Sequence, residues 1–248
     1  MAAPQAGWTI RVLGPVDLQT PDGIESFGGR LPQMLIATLT IASGRIVSTD
    51  HLVEVLWAGD APISAVNTLQ SYVSRLRRLL GNDAIQLVNH GYLLSVAVDQ
   101  VDALRFEHLI RTSAAEECPP RESRALAHEA LALWRGAPFG ELADVDPFRL
   151  EAVRLDELRM VAMETLLEAE LALDHPELVI GTLEAGVREN PYREHLWSML
   201  IEALTRMGRR REALDACREL KSLLAEIGLE PGPTVTALED RIVAGTDV

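Results

Sequence analysis

The sequence predicts a mainly α chain with a small β component. An N-terminal winged helix-turn-helix would come first, then an all-α domain of tetratricopeptide-like repeats. Three observations carry that expectation. Ser64 to Gly81 has a helical apolar stripe opposite an acid-free polar face. A hairpin pattern follows it at once, with Asn89-His90-Gly91 as the turn between two apolar runs. From residue 101 onward the apolar spacing is helical, and Thr165 to Leu171 is echoed by Met199 to Thr205, 34 residues later.

The elements follow in order. Trp8 to Leu13 alternates, Val16 to Gln19 continues in kind, and Pro21-Asp22-Gly23 turns the chain into Ile24 to Phe27, so a small antiparallel sheet opens the chain. Gly28-Gly29 breaks the pattern without phosphate-loop spacing. A helix is expected over Leu31 to Ser43, with Pro32 in its first turn, Gly44 ending it, and Leu35, Leu39 and Ala42 inward. Ile46-Val47 reads as an extended link. Ser48 or Thr49 caps the next helix, which runs to Trp57 with Leu52, Val55 and Leu56 inward. Ala58 to Pro62 is a turn into the central helix.

In that central helix Val66, Leu69, Val73, Leu76 and Leu80 share one face. Asn67, Gln70, Ser71, Ser74, Arg75 and Arg78 share another. Ser64 suits the N-cap, and Gly81 suits the residue past the end. A face of amides, hydroxyls and guanidiniums can bond to base edges and phosphates together. Three arginines on a helix would alone read as an ordinary solvated face. The hairpin behind them, Ile85 to Val88 and Tyr92 to Val96, makes that face a recognition surface with a wing beside it.

The composition sets limits on these readings. The chain has 248 residues with 48% hydrophobic residues, enough for two modest domains. Its net charge of −14 opposes a nucleic-acid partner only if evenly spread. Residues 1–100 hold six arginines against eight acids, a net of −2, while the rest carries 17 bases and 29 acids, a net of −12. The acidity thus belongs to the second segment, and the first can bind DNA with a modest electrostatic grip. Met1 to Gly7 has no signal-peptide pattern and no stretch reaches membrane-spanning length, so a cytoplasmic protein without membrane association is expected. Cys118 and Cys217 lie far apart outside any metal pattern, and read as two reduced core thiols.

The boundary is expected at Asp99 to Asp102, giving a reading domain over 1–100 and a helical domain over 101–248. Helices are expected over Val101 to Ala115, Pro120 to Trp134, Pro147 to Leu173, Pro176 to Glu189, Pro191 to Met207, Arg209 to Ile227 and Pro233 to Ala244, with Ala137 to Asp146 as a loop. Gly208 and the small Ala213 mark the turn where two helices pack closely. Trp134, Phe148 and Trp197 read as core. His108, His128, His175 and His195 read as surface or satisfied. The histidines show no metal-binding spacing, and no nucleophile turn is present. No catalytic residues, metal or cofactor are therefore expected, and the chain does not read as an enzyme.

On these residues the chain resembles the Streptomyces antibiotic regulatory protein-like transcriptional activators, an actinobacterial family. They join an OmpR-type winged helix to a bacterial transcriptional activation domain. The resemblance rests on Ile10 to Pro15, Leu52 to Trp57, Thr68 to Gly81, Gly91 to Leu94, Ala132 to Gly136 and Leu229 to Pro233. It covers nearly the whole chain. The family implies binding to promoter direct repeats as two protomers side by side, recruitment of RNA polymerase, and control of a biosynthetic or cell-envelope operon. By position it places Gln70, Ser71, Ser74 and Arg75 at the major groove, with Asn67 and Thr68 also among the DNA-binding residues. Arg77 and Arg78 would hold phosphates or brace the domain. Asn89 and His90 would form the wing tip near the minor groove, and Asp60 would face the polymerase. Two departures stand out. The first helix opens Leu31-Pro32-Gln33 where relatives carry bases. The sequence also ends after the helical domain, so no ATP or phospho-signal input is expected. The rival reading is a repeat scaffold for a peptide or small-molecule effector, with weak or lost DNA binding.

Overall fold

The computed structural model describes residues 7–245, so most of the leading Met1 to Gly7 stretch lies outside the described residues. Ten α-helices and six strands are present among them. The chain divides into two compact units. One holds the residues up to 112 together with 129–161; the other holds 113–128 together with the residues from 162 onward.

The first unit opens on β1 (Thr9–Arg11), β2 (Asp17–Thr20) and β3 (Gly23–Glu25), antiparallel in sequence order as the alternation predicts. Then come α1 (Arg30–Ile41), β4 (Val47–Ser48), α2 (Thr49–Trp57), α3 (Ala65–Leu80), β5 (Ile85–Val88) and β6 (Gly91–Leu94). The second sheet has the order β4-β6-β5. Val47 pairs with Tyr92 and Ser48 with Gly91, so the expected link at Ile46-Val47 is in part the third strand of the wing sheet. Two apolar residues cannot announce a strand locally, because their partner lies 45 residues away.

Helix α1 is buried almost all round, from Pro32 through Thr40, because it packs against α2, α3 and β6. It begins at Arg30, one residue before the expected start, so it does open with a base. Ala42, expected to face inward, is only half-buried beyond the helix end. Helix α2 is capped as expected, the Ser48 hydroxyl accepting from the backbone N–H of His51 at 3.2 Å. Leu52 and Leu56 are buried there, with Val55 at the margin.

Where the sequence changes character, near residue 100, the chain is tightly held. Val101 is fully buried and bridges to Ile10. The buried Asp102 carboxylate accepts the backbone N–H groups of Val12 at 2.8 Å and Leu13 at 3.0 Å, with Arg135 3.6 Å away. Burial pushes this carboxyl above the usual range, against the opposing pull of those bonds and of Arg135. Helices α4 (Asp102–Ser113) and α5 (Pro120–Ala132) follow, then the long α6 (Phe148–Ala172). Phe106 meets Trp134 edge-on at 5.3 Å, and the Arg159 guanidinium lies over the other ring at 4.8 Å. Phe139 and Phe148 form a second ring pair, 5.6 Å between centres, both fully buried.

In the second unit α8 (Glu194–Arg206) packs between α7 (Pro176–Glu189) and α9 (Arg210–Glu226), α10 (Pro233–Ala244) packs on α8 and α9, and Arg193 and Arg206 bond to Glu164 and to the Leu171 carbonyl at the end of α6. The 34-residue repeat is visible in the backbone. After α6, Asp174 donates to the Leu171 carbonyl and His175 to that of Glu170; after α8, Gly208 donates to Thr205 and Arg209 to Leu204. Asp174 and Gly208 both take a left-handed conformation, with φ 62° and 72°. Both turns are therefore the same helix-ending motif. Buried apolar residues recur at the same spacing, Ala169 with Ala203, and Val179 with Ala213, the first pair alike in size. Cys217 is buried as expected, and burial pushes its thiol up to about 11. Cys118 is not a core thiol. It is part-exposed after α4, in the segment leading into α5. Among the described residues no helix is long and apolar enough to cross a membrane, and no cluster of metal-ligating side chains occurs.

Candidate nucleic-acid interface

Helix α3 owes its position to one stripe. Ala65, Leu69, Val73, Leu76 and Leu80 are buried, each one helical turn from the next or beside it. The stripe differs from the expected one at its first position. Val66 is 45% exposed, and Ala65 takes the buried place. The sequence permits either, since residues 65 and 66 both lie three or four before Leu69; the close approach to the core selects the smaller side chain. Ser64 stands at the N-cap, but its hydroxyl makes no capping bond. Its carbonyl instead accepts from the backbone N–H of Thr68 at 2.9 Å and from the Thr68 hydroxyl at 3.1 Å.

The opposite face turns to solvent. Asn67, Gln70, Ser71, Ser74, Arg75 and Arg78 are all exposed. The hydroxyls of Ser71 and Ser74 donate back to the carbonyls of Asn67 at 3.0 Å and Gln70 at 2.8 Å. Their lone pairs stay outward, ready to accept from a base amine. Thr68 is half-buried and bonded back in the same way. The helix carries no acid, and Arg77 and Arg78 in its last turn suit its negative end.

The three arginines are placed differently. Arg75 lies against the backbone of Gly28, so close that a side chain on that glycine would overlap the guanidinium. The Gly28-Gly29 pair is thus more than a break, because it cradles a residue of the polar face. Arg77 is half-buried, and its Nε donates to the Ile85 carbonyl at 2.8 Å, tying α3 to β5. Arg78 is exposed and makes no ion pair among the described residues.

The wing tip is a separate feature. Asn89 and His90 occupy the hairpin turn with φ 47° and 60°, the two left-handed residues of a type I′ turn, and both are exposed. The His90 carbonyl accepts from the Thr49 N–H at 3.1 Å and hydroxyl at 2.8 Å, which anchors the tip to the start of α2 rather than to α3. Asp60 stands exposed in the α2–α3 connection, its backbone N–H bonded to the Trp57 carbonyl at 3.0 Å. The structure thus joins the α3 residues on one face and leaves the wing tip and Asp60 on other elements.

Sequence reasoning missed Arg30, Gly28 and Val66. Arg30 is exposed at the first position of α1, directly after the glycine pair that holds Arg75. A helix start placed one residue earlier would have found it. The contact of Gly28 with Arg75 spans 47 residues, and no local pattern signals it.

The comparisons agree with this architecture. The chain matches the model of the bacterial transcriptional activator domain over residues 101–243, and that of the C-terminal domain of transcriptional regulatory proteins over 33–94. It is 36% identical to the transcriptional regulatory protein EmbR of Mycobacterium tuberculosis, over 94% of this chain and 62% of that protein. It therefore spans less than two thirds of that relative's length. It is 30% identical to the regulatory protein DnrI of Streptomyces peucetius, over 94% of this chain and 91% of that one. The solved structure of M. tuberculosis EmbR in complex with a low-affinity phosphopeptide superposes with a TM-score of 0.87 at 32% identity, covering 98% of this chain and 66% of that one. These are transcriptional regulators, not enzymes. By the domain match and the shared fold, the chain belongs to the Streptomyces antibiotic regulatory protein-type family of transcriptional regulators.

Proposed function

We propose that this chain is a sequence-specific DNA-binding activator, which sits on promoter direct repeats as two protomers and recruits RNA polymerase in the cytoplasm. Residues 1–100 act as the reading domain and 101–248 as the activation and pairing domain. The observation that carries the reading is the exposed face of α3. It holds two amides, hydroxyls and guanidiniums without an acid, and is followed by a type I′ wing. Asn67 and Gln70 match adenine edges, Arg75 matches guanine, Arg78 matches a phosphate, and Arg77 braces α3 against β5. Asn89 and His90 approach the minor groove. Asp60, exposed and away from the polar face, meets the polymerase.

Retention of labelled promoter fragments by the full chain, at about 50 and about 200 mM salt, tests this directly. A complex that survives unlabelled random competitor and weakens with salt is expected. Absence of any competitor-resistant complex at either salt would leave the repeat-scaffold reading in its place. Polymerase recruitment has its own test. Asp60→Ala should keep operator affinity while lowering transcription in a purified system. Equal transcription would move the polymerase contact off this loop.

A further inference from the structure

Val66 is a β-branched aliphatic side chain, 45% exposed on the first turn of α3, where the apolar stripe would have buried it. Its neighbours on the surface are set by the helix. Gln70 lies one turn on along the same flank, and Asn67 follows it towards the centre of the exposed face. Both neighbours are amides, and both are exposed. A carboxamide pairs in two-point fashion with N6 and N7 of adenine in the major groove. Every adenine so read is paired with a thymine, whose C5-methyl group is the one apolar feature on the floor of that groove. An aliphatic side chain one helical turn from an adenine-reading amide is what that methyl group requires.

We propose that Val66 is a specificity residue that packs on a thymine C5-methyl group, so that the start of α3 reads A·T pairs from both sides: amide to adenine, valine to thymine. The inference rests on α3 being the DNA-reading helix. The occupant is the methyl group rather than a protein surface, because the side chain shares its flank with Gln70. Tyr72, the nearest aromatic side chain of the helix, lies half-buried on the opposite side. Val66 is 45% exposed and stands outside the buried stripe, so Val66→Ala is expected to leave the domain folded, which the melting measurement checks.

The test first selects a preferred duplex from a random pool with the full chain. Each thymine of that duplex is then replaced singly by uracil, which removes the methyl group and leaves base pairing unchanged. Affinities are measured for the parent and for Val66→Ala, with thermal melting of both proteins. One uracil position is expected to weaken the parent about fourfold, the effect of one methyl group taken from water. Val66→Ala should bind the all-thymine duplex with a similar loss, and should be indifferent to uracil at that position. The uracil series on the parent alone can overturn the assignment, without any variant, if no thymine matters. Loss at no thymine, or an equal uracil penalty in parent and variant, overturns the assignment; a protein partner covering Val66 would give this result. Failure of the selection to enrich any sequence would overturn the reading beneath it as well, and so is told apart from failure of Val66 alone.

Discussion

The exposed face of α3 and the helical repeats of the second unit use the same residue types in opposite ways. In the repeats, charges meet each other. Arg193 bonds Glu164 at 2.6 Å, Arg209 bonds Glu212, Arg218 bonds Asp215, and Lys221 bonds Glu239. On α3, the side chains of Asn67, Gln70 and Arg78 have no bonding partner among the described residues, and no acid stands on the helix. The repeats use their polar groups to hold a shape, while α3 keeps its polar groups for something outside the chain. Substitutions in the two regions should therefore fail differently. Those in the repeats should lower stability, and those on α3 should lower DNA affinity with little change in melting.

The largest effect is expected at Arg193. Removing it leaves Glu164, which is itself buried, without its bidentate partner. Arg193→Ala should cost about 3 kcal/mol of stability, read from urea unfolding. A loss below about 1 kcal/mol would mean that water already solvates the pair. Next comes the cradle of Arg75. Arg75→Ala should reduce operator binding by about 1–3 kcal/mol without lowering the melting temperature. Gly28→Ala should match that loss by displacing the guanidinium, and should also destabilise by about 1–2 kcal/mol because φ there is +87°. If Gly28→Ala binds as the parent does, Arg75 does not depend on its cradle.

A smaller effect separates the two repeat turns. Gly208→Ala should cost about 1 kcal/mol, whereas Asp174→Gly should change stability by less than about 0.5 kcal/mol, since Asp tolerates the left-handed region and Gly loses more chain entropy. Equal costs would deny that the turns are equivalent. The smallest effect is a pH dependence. The bond to Glu168, 2.7 Å away, raises the His195 pKa above that of a free imidazole. Its contribution is then fully present below the unfolded value of about 6.5, and is lost as pH rises through the raised folded value. Melting curves of the parent between about pH 5 and pH 8 should show this loss, and Glu168→Gln should flatten it. An unchanged slope in that variant would place the dependence elsewhere.

Legibility in the sequence followed range. The helices of the second half were readable because their signals are local. Apolar spacing and prolines at the starts placed α7 and α10 at their observed bounds. The repeat was readable because 34 residues of offset preserve residue size at Ala169 and Ala203. The polar face of α3 was legible for the same reason. What was not legible depends on distant partners. β4 exists through Tyr92, Asp102 is buried by Val12 and Leu13, and Gly28 matters through Arg75. The exchange of Ala65 for Val66 has a different origin. Both lie within the stripe's tolerance, and only the space left by the core decides between them.

The central claim is that the exposed face of α3 reads sequence, and the affinity ratio between operator and scrambled duplex measures it most directly. Fluorescence anisotropy of the full chain and of Gln70→Ala, at one fixed salt concentration, gives that ratio for both proteins. Gln70 is exposed, uncharged and unbonded at its side chain among the described residues, so its removal disturbs neither the fold nor the phosphate contacts. The account predicts that Gln70→Ala keeps the parent's affinity for scrambled DNA and loses about 1–3 kcal/mol on the operator alone. An unchanged ratio, or an equal loss on both duplexes, would contradict it.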